Sequence, residues 1–284
     1  MDTIKRKKQS VAFLLVVVLL ALLWWGNNMP RTEEYVFASR QVPQGWNGAK
    51  IVHLSDLHGK EFGKDHRRLL QAVAKTQPDL IVITGDIADA QSGLDTIPAV
   101  LEGLVAIAPT YYVTGNHEWG AGFVGELREM LKAAGVHYLR NEHVVLERGG
   151  DNLVLAGIDD PNGYADQKTP VQVAEEVYDQ HNDPFWLLLA HRNTLFSDEY
   201  CLLGADLTLC GHGHGGIWRL PFTDGLISTT MELFPTWTDG FYTCHCGACE
   251  NSQVFVSRGL GNSPRIPRIG NRPEIAVLTL QTTP

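Results

Sequence analysis

Leu80-Ile81-Val82-Ile83-Thr84-Gly85-Asp86 is an apolar run that stops at a glycine and then at a carboxylate. Its β-prone residues read as a strand buried on both faces, because a half-buried strand alternates apolar with polar side chains. Asp86 then falls where a buried strand ends. Taken alone, the stretch fits an ordinary strand and turn equally well, and its recurrence is what decides. Residues 51–54 lead into Ser55-Asp56-Leu57-His58, residues 111–113 into Thr114-Gly115-Asn116-His117-Glu118, and residues 153–156 into Gly157-Ile158-Asp159-Asp160. Residues 185–190 lead into His191-Arg192, and residues 207–210 into Gly211-His212-Gly213-His214. In layered α/β folds, residues just beyond the carboxyl ends of different strands converge on one crevice. The converging side chains here supply oxygen and imidazole nitrogen, a donor mix suited to a hard or borderline divalent ion.

Outward from these strands, residues 65–76, 94–107 and 123–134 read as helices, the last closed by Gly135 as a C-cap, and Thr169-Pro170 starts another. Up to residue 134 strands and helices alternate; beyond 136 strands are denser. That order suits an α/β fold, a four-layer αββα sandwich of two mixed sheets flanked by helices. The 284 residues carry a formal charge of -9, with 44% hydrophobic residues and 28 glycines. Lys5, Arg6, Lys7 and Lys8 face only Asp2 in the first ten residues, so the remainder carries about -12. An acidic body argues against a broad nucleic-acid surface but not against a phosphorylated substrate, since bound cations invert the local field.

Residues 11–25 are an uninterrupted run of 15 apolar residues after the basic segment. As a helix that run reaches only ~22 Å against a hydrocarbon core of ~30 Å, between a signal h-region and a short anchor. Trp24-Trp25-Gly26-Asn27-Asn28 follows where a cleaved signal would place small residues, and the tryptophans sit as an interface belt would. We read residues 1–26 as a basic N-terminus and single-pass anchor, with a cleaved signal as the alternative. Residues 27–49 then form a linker and edge strand, and 50–284 the catalytic domain. The basic end places the domain outside the cytoplasm by the positive-inside rule.

Asp56-Leu57-His58, Gly85-Asp86, Gly115-Asn116-His117-Glu118, His191 and Gly211-His212-Gly213-His214 together resemble the five motifs of the calcineurin-like metallophosphoesterases, in that family's order. Gly157-Ile158-Asp159-Asp160-Pro161, Gly215-Gly216 with Arg219-Leu220-Pro221, Val256-Ser257-Arg258-Gly259-Leu260-Gly261 and Pro273-Glu274-Ile275 are similar to a bacterial membrane-associated branch. That branch includes small phosphodiesterases and a UDP-2,3-diacylglucosamine hydrolase.

The resemblance implies two divalent metal ions, manganese first and iron or zinc as alternatives. Asp56, His58 and His214 would hold one ion, Asn116, His191 and His212 the other, with Asp86 shared between them. It implies His117 as the catalytic group that is not a ligand, with Glu118 orienting it, and phosphoester hydrolysis with metal-activated water. Arg192 is a candidate for substrate phosphate contact, as are Asn162, Gly163 and Tyr164 for the pocket wall. His53 points away from the Asp56 face and is read as structural, as are His66, His137, His143 and His181.

The expected substrate is a phosphodiester or pyrophosphate, lipid-linked because the site is tethered to a membrane. The branch's nucleotide lipid is cytoplasmic, however, whereas the charge rule sends the domain of this inner-membrane protein outside, so the two expectations conflict. A Ser/Thr protein phosphatase would carry an arginine where this chain has Ala90; a scaffold without catalysis or a phosphomonoesterase are the remaining alternatives. Ile217 departs from the branch, where glutamine is usual. Cys244-His245-Cys246-Gly247-Ala248-Cys249 is open between a disulfide, a zinc site and free thiols, whereas Cys201 and Cys210 look like buried core positions.

Overall fold

The chain runs through α1 (Asp2–Asn28), β1 (Arg31–Ser39), β2 (Lys50–Leu54), α2 (Arg67–Thr76), β3 (Leu80–Thr84), α3 (Ile97–Val105), β4 (Thr110–Val113), α4 (Asn116–Gly120), α5 (Val124–Ala134) and β5 (His137–Tyr138). It continues through β6 (Glu142–Arg148), β7 (Asp151–Gly157), α6 (Pro170–Gln180), β8 (Trp186–Arg192), β9 (Leu207–Gly211), β10 (Trp218–Arg219), β11 (Gly225–Ile227), β12 (Gly240–Thr243), β13 (Gln253–Val256) and β14 (Glu274–Thr282). This computed structural model describes residues 2–163, 166–220, 223–244, 252–262 and 266–284. Tyr164, Pro221 and residues 245–249 of the cysteine-rich tip lie outside the described residues.

One sheet has the order β1-β14-β2-β3-β4-β5, the other β12-β13-β9-β8-β7-β6. Strands β2, β3 and β4 pair in parallel, as do β7, β8, β9 and β13. β3 is buried at every position, which explains its unbroken apolar run. Successive residues face opposite sides of a strand. Ile51, Leu80, Val82 and Val113 therefore meet Leu155, Leu187, Leu189 and Leu209 between the sheets, while Val52, Ile81, Ile83 and Tyr112 pack outward on Leu69, Val73, Leu101 and Leu127. Val154, Ala156, Trp186 and Leu188 pack on Val173 and Val177 of α6. The result is the four-layer αββα arrangement, with β2, β3, β4, β7, β8 and β9 directing their carboxyl ends to one rim, while the parallel pair β1 and β14 runs the other way.

The helix ends follow their local chemistry. Thr169 caps α6, its Oγ1 accepting from Gln172 N at 3.2 Å while Gln172 Oε1 accepts from Thr169 N at 2.8 Å. Gly135 ends α5 at φ 82°. Two starts differ from the sequence reading. Asp65 and His66 take φ 54° and 55°, so α2 begins at Arg67, and a short 3-10 turn over Gln91–Thr96 precedes α3.

Helix α1 is longer than its apolar core. The stretch Lys7–Asn28, 22 residues, is apolar enough to cross a membrane, and it reaches ~33 Å at the helical rise. The sequence reading counted only the uninterrupted apolar residues; helix continues through the flanking polar ones. None of the most apolar 18-residue stretch of this span is buried against the domain.

The cysteine expectations change. Cys244 is disulfide-bonded to Cys201, 43 residues away, with Cα atoms 5.9 Å apart, and among the described residues Cys210 is a buried free thiol. Cys201 sits in a 3-10 turn over Tyr200–Leu203 that packs on the outer face of the second sheet beside Cys244. No local spacing reports such a neighbour, which is why Cys201 read as an ordinary core residue.

Asp206 caps the same layer, its Oδ2 accepting from Trp186 N at 2.9 Å. Burial pushes its carboxyl up to about 6. A raised folded pKa in an acid means that burial penalises the ionised form: the penalty is absent below the ordinary value of 3.8, grows as pH rises, and is full above about 6. Asp206→Asn keeps an acceptor for Trp186 N and removes the charge. Its melting temperature is expected to exceed that of the parent at pH 7.5, with the gain vanishing towards pH 4; an equal melting temperature at both pH values would contradict this.

Candidate metal centre

The residues beyond the carboxyl ends of β2, β3, β4, β8 and β9 meet at the rim between the sheets. Gly115 and Gly211 permit the approach: a Cβ at Gly115 would overlap the Asp86 carboxylate, and one at Gly211 would overlap Ser55 Oγ and Asp56. The backbone turns sharply at the donors themselves. Asp56, His58, Asp86, His212 and His214 all have φ between 50° and 66°, a region that Asp and His tolerate better than most residues but at a cost on the order of 1 kcal/mol each. The local geometry is held by the tertiary structure, not by local preference.

Among the described residues three groups of potential donor atoms result, one of them His58, Asp89 and His117; the other two contain the expected ligands. In the first, His58 Nε2 lies 3.0 Å from His214 Nε2, and Asp56 Oδ1 lies 3.5 Å from His214 Nε2 and 3.8 Å from His58 Nε2. In the second, His191 Nε2 lies 3.1 Å from Asn116 Oδ1, 3.2 Å from His212 Nδ1 and 3.2 Å from Asp86 Oδ2. Asp86 Oδ2 is also 4.0 Å from His58 Nε2, so this carboxylate stands between the groups. Ligand atoms sharing one ion at ~2.0–2.2 Å bonds sit roughly 3.0–3.5 Å apart. These separations fit divalent ions, as does the mixed oxygen and nitrogen donor set.

In His58, His191 and His214 the ring nitrogen that faces away from the donor groups is engaged elsewhere, which fixes the imidazole. His191 Nδ1 donates to Thr84 O at 2.7 Å, and His58 Nδ1 pairs with Asp89. Arg268 Nη1 donates to His214 O and its Nη2 lies 3.2 Å from His214 Nδ1, while Asn271 Nδ2 donates to His214 O at 2.7 Å. Such outer partners orient metal-ligating rings. Electrostatics agree with cation binding. Against the effect of burial, Asp56 and Asp86 hold His58 and His191 up to about 10, Asp89 also contributing to His58. Asp56 is itself driven well below the carboxylate range against burial by His214, His58 and His191. Burial, with His58 and Arg268, keeps His214 unprotonated, the form that ligates.

His117 stands at the edge of the centre with its side chain 33% exposed, Nε2 3.9 Å from Asp86 Oδ2 and Nδ1 3.2 Å from Asp89 Oδ1. Asp89 is the neighbour of the centre that the sequence reading missed; its position three residues past Asp86 is the available signal. Glu118 does not orient the His117 ring. It is fully buried, and its carboxylate accepts from the backbone N–H groups of Asp86, Ile87 and Gly115 at 3.1, 2.7 and 2.7 Å, clamping the two ligand loops together. Burial, then Asp86, pushes Glu118 up to about 7.

Arg192 is engaged by Asp160, donating from Nε at 2.6 Å and Nη2 at 2.9 Å. Asp159 accepts from Thr114 Oγ1 and Tyr138 OH, so the Asp159-Asp160 pair braces the rim. His53 lies between the sheets against Thr84 and Phe255, away from the donors. His66 is buried, His137 stacks on Tyr111, and His143 pairs with His181. Ile217 is buried beside the His214 loop, its carbonyl accepting from Asn271.

Comparison with known proteins agrees with this arrangement. The sequence profile of the calcineurin-like phosphoesterases matches residues 49–216. The chain is 30% identical over 267 residues to the uncharacterized metallophosphoesterase YkuE of Bacillus subtilis, covering 90% of this chain and 87% of that protein. It is 30% identical to phosphodiesterase YaeI of Escherichia coli over 81% of this chain and 82% of YaeI. A transmembrane protein with a metallophosphoesterase domain from Bos taurus is 31% identical, over 86% of this chain and 55% of that protein. Among solved structures, the NAD nucleotidase NadN of Haemophilus influenzae superposes with a TM-score of 0.51 at 16% identity, covering 76% of this chain and 45% of that chain, a likeness of fold. From the profile match, which includes all the donor residues above, and from these relatives, the chain belongs to the calcineurin-like phosphoesterase family and is a metal-dependent phosphoester hydrolase.

Proposed function

We propose that the centre holds two divalent ions and hydrolyses a phosphodiester or pyrophosphate bond of a lipid-linked substrate, manganese being the expected metal. The observation that carries the reading is Asp86 Oδ2 standing between the His58 group and the His191 group. Paired divalent ions would polarise the phosphoryl oxygens and activate water for in-line attack. Asp56, His58 and His214 hold one ion, Asn116, His191 and His212 the other. His117 delivers a proton from Nε2 to the leaving oxygen while Asp89 steadies its Nδ1. With Nε and Nη2 of Arg192 on Asp160, phosphate contact falls to Nη1.

A membrane substrate is supported by the seating of the anchor. Asn27, at the end of α1, donates from Nδ2 to Arg268 O and accepts at Oδ1 from Arg268 N, each at 2.9 Å, and Arg268 in turn abuts His214. Lys60, two residues past His58, donates to Asn27 O. The centre therefore lies one side chain from where the helix leaves the domain. The Cys201–Cys244 disulfide joins the basic residues of the N-terminal segment in favouring a catalytic domain outside the cytoplasm of a bacterial inner membrane. An alkaline phosphatase reporter fused after Pro284 is expected to be active; activity from a cytoplasm-only reporter at that position would sink the orientation.

The substrate reading is tested with the full chain in nanodiscs, manganese added, against a chromogenic phosphodiester, a nucleotide-diphosphate lipid, an undecaprenyl-type pyrophosphate and phosphomonoesters. Turnover of diester or lipid pyrophosphate above the monoesters is expected. Turnover confined to monoesters would replace the proposal with a phosphomonoesterase.

A further inference from the structure

Exposed apolar side chains are unevenly distributed over the domain. Val36, Val145 and Leu202 lie singly on separate elements and Val171 and Tyr178 share α6, two turns apart, whereas Leu220 (55%), Met231 (63%), Leu233 (66%), Phe234 (73%) and Ile269 (39%) gather on one small substructure. Its connectivity is a ladder. Residue 269 bridges Trp218, β10 pairs with β11, and Ile227 bridges Leu233. Phe234 N donates to Leu226 O at 2.9 Å, and Trp218 Nε1 donates to Pro267 O at 3.0 Å.

The ladder starts at the anchor. Ile269 directly follows Arg268, which is hydrogen-bonded on both sides to Asn27, and Arg272 covers the Trp25 ring at 4.0 Å. Trp24 and Trp25, in the last turns of α1, are 58% and 45% exposed. Adjacent strands are ~4.8 Å apart, so three steps put Leu233 roughly 15 Å from Ile269, which follows the Asn27 partner Arg268. Backbone pairing thus runs without a break from the Asn27 end of α1 to the 231–234 turn, with exposed apolar side chains at both ends of the ladder. A patch of that kind beside a span marks a membrane contact more readily than scattered exposed residues do.

We infer that residues 218–220 and 223–237, together with Ile269, form a second membrane-contacting element: Leu220, Met231, Leu233, Phe234 and Ile269 enter the interfacial zone of the phospholipid bilayer that α1 crosses. Gly215 and Gly216 are the only residues between His214 and the Ile217-Trp218 start of this segment. Two points of attachment, α1 on one side and the 231–234 turn on the other, fix the tilt of the domain and hold the metal-ligand loop at headgroup depth. A single helix would leave the domain free to rock about Asn28. The inference rests on α1 crossing a bilayer and does not require the substrate proposed above.

The test is photolabelling of the full chain in phosphatidylcholine proteoliposomes that contain a lipid with a diazirine at the glycerol end of one acyl chain, followed by peptide mapping. Adducts are expected on α1 and on the Met231–Phe234 peptide, and not on Val171 or Leu202. In a variant with Leu233→Glu and Phe234→Glu, the second set is lost while labelling of α1 persists as the internal standard. Adducts confined to α1 in the parent chain, or adducts at 231–234 that survive the double substitution, would overturn the inference. Labelling needs no turnover, so it separates this inference from the catalytic reading; hydrolysis of a water-soluble phosphodiester by the variant reports that its centre is intact.

Discussion

Asp86→Asn is expected to abolish hydrolysis and to lower metal content at both positions at once. Asp86 Oδ1 accepts from His117 N at 2.9 Å and Oδ2 lies towards His191 and His58. An asparagine that keeps its oxygen on His117 N must present its amide N–H groups to the metals, replacing an acceptor by donors and removing the negative charge. Asparagine tolerates the φ of 52° at this position, and the clamp from Glu118 reaches only the backbone. The fold is therefore expected to survive while the centre fails. Elemental analysis with a phosphodiester assay checks this, and a variant with full activity and unchanged metal content would remove Asp86 from its proposed role.

His117→Ala is expected to separate metal binding from chemistry. The His117 ring places Nε2 3.9 Å from Asp86 Oδ2 and Nδ1 on Asp89, and it is not among the proposed ligands, so metal content should hold. Loss of a positioned acid costs about 10²–10⁴-fold in kcat. The loss should be larger for an alkyl phosphodiester than for a nitrophenyl one, because the poorer leaving group depends more on protonation. Asp89→Asn should fall between parent and His117→Ala, about 10- to 100-fold down, since it steadies both His117 and His58 without touching the substrate. Equal losses for good and poor leaving groups would reject the proton-delivery role of His117, and unaltered activity would reject its involvement.

The fold and the convergence of oxygen- and nitrogen-bearing side chains on one rim were legible for one shared reason. Parallel strands covered on both faces must be continuously apolar, so residues 80–84, 187–189 and 207–210 announce themselves, and whatever follows them stands at the same rim. Helix caps such as Thr169 and Gly135 were legible because they act over three or four residues. Asp89, the true task of Glu118 and the partner of Arg192 were not. Each depends on which side chain faces which across loops that no periodicity describes: Asp160 reaches Arg192 over 32 positions, and Glu118 reaches Ile87 over 31.

By itself, then, the sequence placed the core strands, the rim at which their carboxyl ends meet and the chemical type of the residues gathered there, because burial and donor chemistry are properties of residue types. Only the tertiary structure decided the strained left-handed backbone at Asp56, His58, Asp86, His212 and His214, the Cys201–Cys244 bridge, the Asn27–Arg268–His214 path and the apolar ladder out to Phe234. These are contacts between segments up to 241 residues apart, closed by the packing of two sheets and a helix end. The chain opened on a carboxylate at the end of one buried strand; packing alone places that carboxylate between two groups of donors.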